Sequence, residues 1–149
     1  MTTAVEMKIT WSPARFRDDF EAIRLIRNDG RQWMEDTDEI TPEQQEAFRN
    51  THPRVLVYKV GGVIVGYGMV TRRPDGCLYV SLAVRSDYQG RGVGTHIYWD
   101  QRKRWTAEPV YARIRANNVA SIRAATTAGY VHEPEMSDEY WVVLRGDPR

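Results

Sequence analysis

The sequence lacks the features that mark whole classes of protein. It has a single cysteine, Cys77, in 149 residues, so no internal disulfide can form and a reducing compartment is expected. No apolar run approaches the roughly 20 residues of a membrane span. The opening MTTAVEMK has no hydrophobic stretch of signal-peptide type. Neither sign of charge predominates: 21 Lys and Arg face 20 Asp and Glu, a net +1 that gives no support to nucleic-acid binding. His52, His96 and His132 are scattered without metal-ligand spacing, so no metal is expected. There is no internal repeat, no low-complexity segment and no linker rich in Gly, Ser or Pro. What is present, 42% hydrophobic and 28% charged residues, is ordinary for a globular chain. These observations lead to the expectation of one cytoplasmic domain over residues 1–149, with no membrane partner.

Periodicity supplies the elements. Met7 to Trp11 alternates as a short strand. Ser12 and Pro13 read as the cap and first residue of a helix, with apolar positions at Phe16, Phe20, Ile23 and Ile26 and a stop at Gly30. Thr41, Pro42 and Gln44 form a capping box opening a second helix to about Asn50. Val55–Val60 and Val63–Val70 flank Gly61-Gly62 as a hairpin. Pro74-Asp75-Gly76 turns the chain into a third strand, Cys77–Val84. Val93, Ile97, Gln101 and Trp105 place a helix to about Thr106, with Arg102-Lys103-Arg104 as its solvated end. Pro109–Arg115 is a strand, Asn117-Asn118 opens a helix stopped by Gly129, and Tyr140–Leu144 is a last strand. The order β-α-α-β-β-β-α-β-α-β(β) specifies a mixed α/β domain rather than an all-parallel sheet.

Between the third strand of the meander and the following helix lies Gln89-Gly90-Arg91-Gly92-Val93-Gly94-Thr95. Glycines let backbone N–H groups face a ligand closely, and the helix start adds partial positive charge, so the segment suits a phosphate. A plain glycine turn is the alternative. The P-loop pattern fails for want of its lysine, and the dinucleotide fingerprint fails because the glycines stand at 90, 92 and 94.

The pattern that does fit is Gln/Arg-x-x-Gly-x-Gly/Ala after a strand ending in an apolar triplet. Leu82–Tyr98 (LAVRSDYQGRGVGTHIY) resembles the coenzyme-A loop of the GNAT superfamily of N-acetyltransferases. Asn118-Val119-Ala120-Ser121, with Gly129-Tyr130 eleven residues after Asn118, resembles that superfamily's second motif. The resemblance is good over Arg54–Leu144 and loose before it. It implies the GNAT fold: a mixed, mostly antiparallel sheet of six to seven strands with about four helices, splayed between the fourth and fifth strands. It implies acetyl-CoA as co-substrate, held by backbone groups of Leu82, Ala83 and Val84 and by Gln89, Gly90, Arg91, Gly92, Val93, Gly94 and Thr95. Asn118 and Ser121 would contact the cofactor arm or cap the helix.

Three positions depart from the family pattern. A tyrosine that acts as general acid in many members is replaced by Ala125, a glutamate base on the preceding strand by Arg113, and a glutamate early in the strand before the loop by Leu78. The replacement candidates for proton handling are Tyr79, Ser81, Tyr130, Glu133 and Tyr140, each with a structural reading beside it; Cys77 reads as a small core residue. The acceptor site is expected from the connection between the first two helices, with Trp33, Glu35 and Asp36, and from Arg113. Ile26-Arg27-Asn28, Trp33-Met34, Ile40-Thr41 and Phe48 are similar to a branch that acetylates amino sugars, often nucleotide-linked, whose phosphate or carboxylate would meet Arg113 or Arg72 and Arg73. The expected reaction is acetyl transfer to a small-molecule primary amine. A protein N-terminal or lysine acetyltransferase and a catalytically weak acyl-CoA sensor are the alternatives. A homodimer is an option carried by family precedent alone.

Overall fold

The computed structural model describes residues 7–51 and 54–148. Its elements are β1 (Thr10–Pro13), α1 (Arg17–Asp29), α2 (Pro42–Thr51), β2 (Leu56–Val60), β3 (Val63–Arg72), β4 (Leu78–Val84), α3 (Val93–Lys103), β5 (Val110–Arg115), α4 (Val119–Thr127), β6 (Val131–His132) and β7 (Trp141–Gly146), with three short 3-10 turns between them. The strands form one sheet in the order β1-β2-β3-β4-β5-β7-β6. All neighbours are antiparallel except β4 and β5. The seven strands and four helices among the described residues agree with the fold expected from the motifs. Among the described residues no helix is long and apolar enough to cross a membrane.

Local chemistry accounts for most boundaries. Thr41 and Gln44 exchange hydrogen bonds at the start of α2, the Gln44 N–H to Thr41 Oγ1 at 3.2 Å and the Thr41 N–H to Gln44 Oε1 at 2.9 Å. The first helix begins later than Ser12-Pro13 suggested. Those residues extend β1 against Val57 and Leu56, and the Ala14 N–H bonds the Val55 carbonyl at 2.8 Å. Sheet pairing outweighs the helix-start signal, and the cap position passes to Phe16, with Asp19 in the first turn of α1 accepting at Oδ2 from the N–H groups of Arg15 and Phe16. The end of α3 also differs from expectation. Arg102 is buried and donates to the carbonyls of Asp147 and Ala128 at 3.0 Å each, while Arg104 pairs with buried Asp100 at 3.0 Å.

Strand alternation divides the core between the two faces of the sheet. On one face Phe20, Ile23 and Ile26 of α1 pack on Val57 and Tyr67. On the other, Ile97 and Val93 of α3 meet Tyr58 and Val65, and Tyr98 with Ala125 and Ala128 of α4 meets Leu78, Val80, Val110 and Ala112. The parallel β4–β5 pairing covers Leu78 with Val110 and Tyr79 with Tyr111, and stops there. Toward its C-terminal end β4 keeps pairing with β3, Leu82 with Gly68 and Val84 with Gly66. The side of β4 that faces away from β3 is therefore open beyond Tyr79, and the sheet gapes between its fourth and fifth strands.

Candidate functional site

The gap in the sheet opens into two adjoining cavities. The larger, about 410 Å³, lies on the α3–α4 face. Its walls include Leu82, Ala83 and Val84 of β4, the loop residues Gln89, Gly90 and Gly92, and Gly94 and Thr95 from the first turn of α3. Asn118, Ser121 and Arg123 line it from the start of α4. Gly90 and Gly92 have φ of +74° and +85°, a left-handed conformation that disfavours side chains. No side chain caps α3, whose cap residue is Gly92 itself. Its first N–H groups thus stand at the cavity wall with the positive end of the helix dipole, a setting for anionic oxygens. The exposed strand edge of Leu82–Val84 supplies backbone groups for an extended amide chain.

Arg91 and Val93, expected in this loop, do not turn their side chains to the cavity. Arg91 lies over the Tyr88 ring at 5.1 Å, and Val93 is 1% exposed in the core; neither lines the cavity. Asn118 caps α4, its Oδ1 accepting from the Ser121 N–H at 3.3 Å, and its residue also borders both cavities.

The smaller cavity, about 180 Å³, passes between β4 and β5 to the α1 face. Val80, Leu82, Ala112 and Ile114 line one side, and Ser81, Arg73, Arg113 and Trp141 the other. Its roof is Trp33-Met34-Glu35. This strap is pinned by arginines distant in the chain, Arg73 just past the end of β3 and Arg113 and Arg115 on β5. Arg73 and Arg113 both donate to Glu35 Oε1, at 2.7 and 2.8 Å, and Arg115 donates to the Met34 carbonyl at 2.6 Å. Arg113 and Arg115 stack on the Trp141 ring at 4.0 and 4.7 Å. Burial acts to raise the Glu35 carboxyl, but the hydrogen bonds from Arg73 and Arg113 outweigh it and the group lies below its ordinary value. One carboxylate between two guanidinium groups leaves a net positive charge in the cavity.

Of the expected acceptor residues, Trp33, Glu35 and Arg113 line this cavity. Asp36 does not: its carboxylate accepts from the Asp38 N–H at 2.9 Å and its carbonyl from Arg27. Arg72 also turns away, pairing with Glu108 at 2.8 Å, whereas Arg73 faces the cavity.

Of the proton-handling candidates, Ser81 alone borders it. The Tyr79 hydroxyl donates to Asp75 at 2.7 Å, and burial followed by that bond pushes the phenol to about 12. The Tyr130 hydroxyl donates to the Tyr98 carbonyl at 3.0 Å. Glu133 is paired with Arg145, and Tyr140 is exposed. His96 packs against Tyr58 and Trp99, and His52 lies outside the described residues. Among the described residues no cluster of His, Cys, Asp and Glu could hold a metal.

Sequence reasoning missed Tyr98. It lines both cavities, is 4% exposed, and its hydroxyl lies 2.6 Å from Ser121 Oγ. A tyrosine on the apolar stripe of α3 needs a partner for its hydroxyl, and that was the available signal. Ala125 of α4 is fully buried in the same cluster as the Tyr98 ring.

The acetyltransferase (GNAT) family profile matches residues 15–130. A search of curated protein sequences returned no match. Among solved structures, yncA of Salmonella typhimurium, determined with its cofactor acetyl-CoA, superposes with a TM-score of 0.78 at 20% identity, over 95% of this chain and 94% of that one. A ribosomal-protein-alanine N-acetyltransferase from Brucella melitensis gives 0.74 at 21% identity, over 93% and 99%. A phosphinothricin acetyltransferase from Sinorhizobium meliloti, in complex with acetyl-CoA, gives 0.81 at 13% identity, over 95% and 89%.

Proposed function

The chain belongs to the acetyltransferase (GNAT) family, and from that premise we propose that it moves the acetyl group of acetyl-CoA to the primary amine of a small molecule that also carries an anionic group. The convergence of Arg73 and Arg113 on Glu35 carries the reading of the acceptor. A guanidinium pair with one carboxylate between them attracts a phosphate or carboxylate, and Glu35 holds the place that such a group would take. The volume favours a small acceptor over a protein segment, since about 180 Å³ under a pinned strap admits little more than a short chain or one ring. An amino sugar phosphate satisfies both requirements, as does an amino acid; of a nucleotide-linked amino sugar only the sugar ring and its phosphate would lie inside.

The parts divide by face. The glycine loop and the start of α3 suit the pyrophosphate, and the open edge of Leu82–Val84 suits the pantetheine, which brings the thioester toward the junction of the two cavities. The amine approaches from the α1 side and attacks in its neutral form. The chain's contribution is to align the two reactants across the gap, which removes much of the entropic part of the barrier.

The test is thiol release from acetyl-CoA with a panel of paired amines, each with and without its phosphate or carboxylate: amino sugars, their phosphates and nucleotide-linked forms, amino acids and their amides. Turnover is expected only with the anionic member of a pair. Equal turnover of both members refutes the acceptor class, and background rates throughout refute the amine acceptor itself.

A further inference from the structure

When an amine displaces a thiol from a thioester, the electron pair of the C–S bond stays on sulfur. The site must therefore stabilise a thiolate at the place where the two cavities meet. Of the described residues that line both cavities, only Tyr98 and Ser121 carry a hydroxyl. They approach from neighbouring helices, α3 and α4, and their oxygens are 2.6 Å apart. The Tyr98 ring is fixed on its far side by an edge-on contact with Tyr130, centroids 5.5 Å apart. The Tyr130 hydroxyl also bonds the Tyr98 carbonyl. Ser121 is fixed in turn by the cap bond from its N–H to Asn118. The pair is thus preorganised, and either hydroxyl can donate to the other.

Resting on the acetyl-transfer reading above, we propose that Tyr98 is a catalytic residue: with Ser121 donating to its oxygen, the Tyr98 O–H hydrogen-bonds the sulfur of coenzyme A as it becomes a thiolate. The N–C bond forms from the amine lone pair, the C–S bond breaks, and its electron pair goes to sulfur under the Tyr98 hydroxyl. The nitrogen's surplus proton leaves to water, and the free thiolate takes a proton from water after release, so the balance closes without another reagent. Burial pushes the phenol up to about 12, although the Ser121 bond pulls it the other way. A thiol ionises near 8.5, so the phenol keeps its proton and acts as a hydrogen-bond donor rather than a full acid. A donor aimed at developing charge in a water-poor site typically contributes about 10²- to 10³-fold in rate.

The experiment needs no acceptor. Coenzyme A held by excess protein is alkylated with iodoacetamide across a pH series, and the alkylated coenzyme is quantified; the midpoint gives the ionisation of the bound thiol. Tyr98→Phe should raise that midpoint by about one pH unit relative to the unaltered chain, and Ser121→Ala should raise it by less. With an amine that turns over, Tyr98→Phe should lower kcat by about 10²-fold or more and leave the KM for acetyl-CoA within about twofold. An unchanged midpoint in Tyr98→Phe overturns the assignment while leaving acetyl transfer standing. Should Tyr98→Phe fail to fold, an unchanged midpoint in Ser121→Ala overturns it instead. Failure of the unaltered chain to bind coenzyme A refutes the acetyl-transfer reading itself.

Discussion

Replacing Gly92 by aspartate places one negative charge where the cofactor's pyrophosphate is expected. A Cβ at this position meets nothing within 4 Å, so the change brings no clash. The φ of +85° imposes a cost of about 1 kcal/mol on a residue with a side chain, which the fold can bear. The charge is the larger effect. Two unit charges about 4 Å apart repel by about 1 kcal/mol in water and about 4 kcal/mol at the effective dielectric of a protein surface. Gly92 is exposed at the cavity mouth, so the cost lies between these limits, and acetyl-CoA affinity should fall about ten- to several-hundredfold. Gly92→Asn separates charge from backbone: it has nearly the same shape, tolerates φ above zero, and adds no charge. Calorimetric titration with acetyl-CoA should show the aspartate variant much weaker than the asparagine variant, with the difference shrinking as salt rises. Equal affinity of the two variants at low salt would refute the placement of the pyrophosphate at the start of α3.

Further predictions concern the strap and the core. Glu35→Gln should lower the KM for an anionic acceptor in the thiol-release assay, because Arg73 and Arg113 lose the carboxylate that competes for the acceptor's place. Since the folded Glu35 carboxyl lies below its ordinary value of 4.5, its contribution to stability is present above the unfolded value and is lost as pH falls through the folded one. Urea midpoints of the unaltered and Glu35→Gln chains should therefore differ near neutral pH and converge under acid, and a gap that persists would refute the pairing. Gly68→Ala puts a Cβ 2.8 Å from Ile97 Cγ2 and 3.1 Å from Gln101 Nε2. It should destabilise by about 1–3 kcal/mol, seen as a lower Tm. Tyr58→Phe removes the 2.7 Å bond to buried Asp100 and the acceptor of the 3.0 Å bond from Gln101. Chemical denaturation should register a loss of about 1.5–3 kcal/mol.

The sequence by itself determined what depends on neighbours along the chain. The capping box at Thr41 and Gln44, the turns at Gly61-Gly62 and Pro74-Asp75-Gly76, the glycine loop and the Asn118 cap all rest on residues a few positions apart, and all stand where the sequence placed them. Where local and non-local demands compete, the local signal failed: Ser12-Pro13 reads as a helix start but is drawn into the sheet by β2. The larger cavity was legible because the end of β4, the glycine-rich segment and the start of α4, each marked by a local motif, supply most of its lining. The acceptor side was half legible. Trp33, Glu35 and Arg113 could be named, but their meeting spans 78 residues from Glu35 to Arg113 and depends on the register of β5 against β7. Nothing in the residue types distinguishes Arg73, which faces the cavity, from Arg72, which pairs outward with Glu108; Arg72 ends β3 and Arg73 opens the turn that follows it, and that change of backbone geometry sends the two side chains to different partners. Likewise only the packing of α3 on α4 brings the hydroxyls of Tyr98 and Ser121 together, 23 residues apart in the chain, at the junction where a thiolate would form. Short-range hydrogen bonding and periodicity write the elements into the sequence, whereas the charges and hydroxyls of the site converge only after the sheet has set their register.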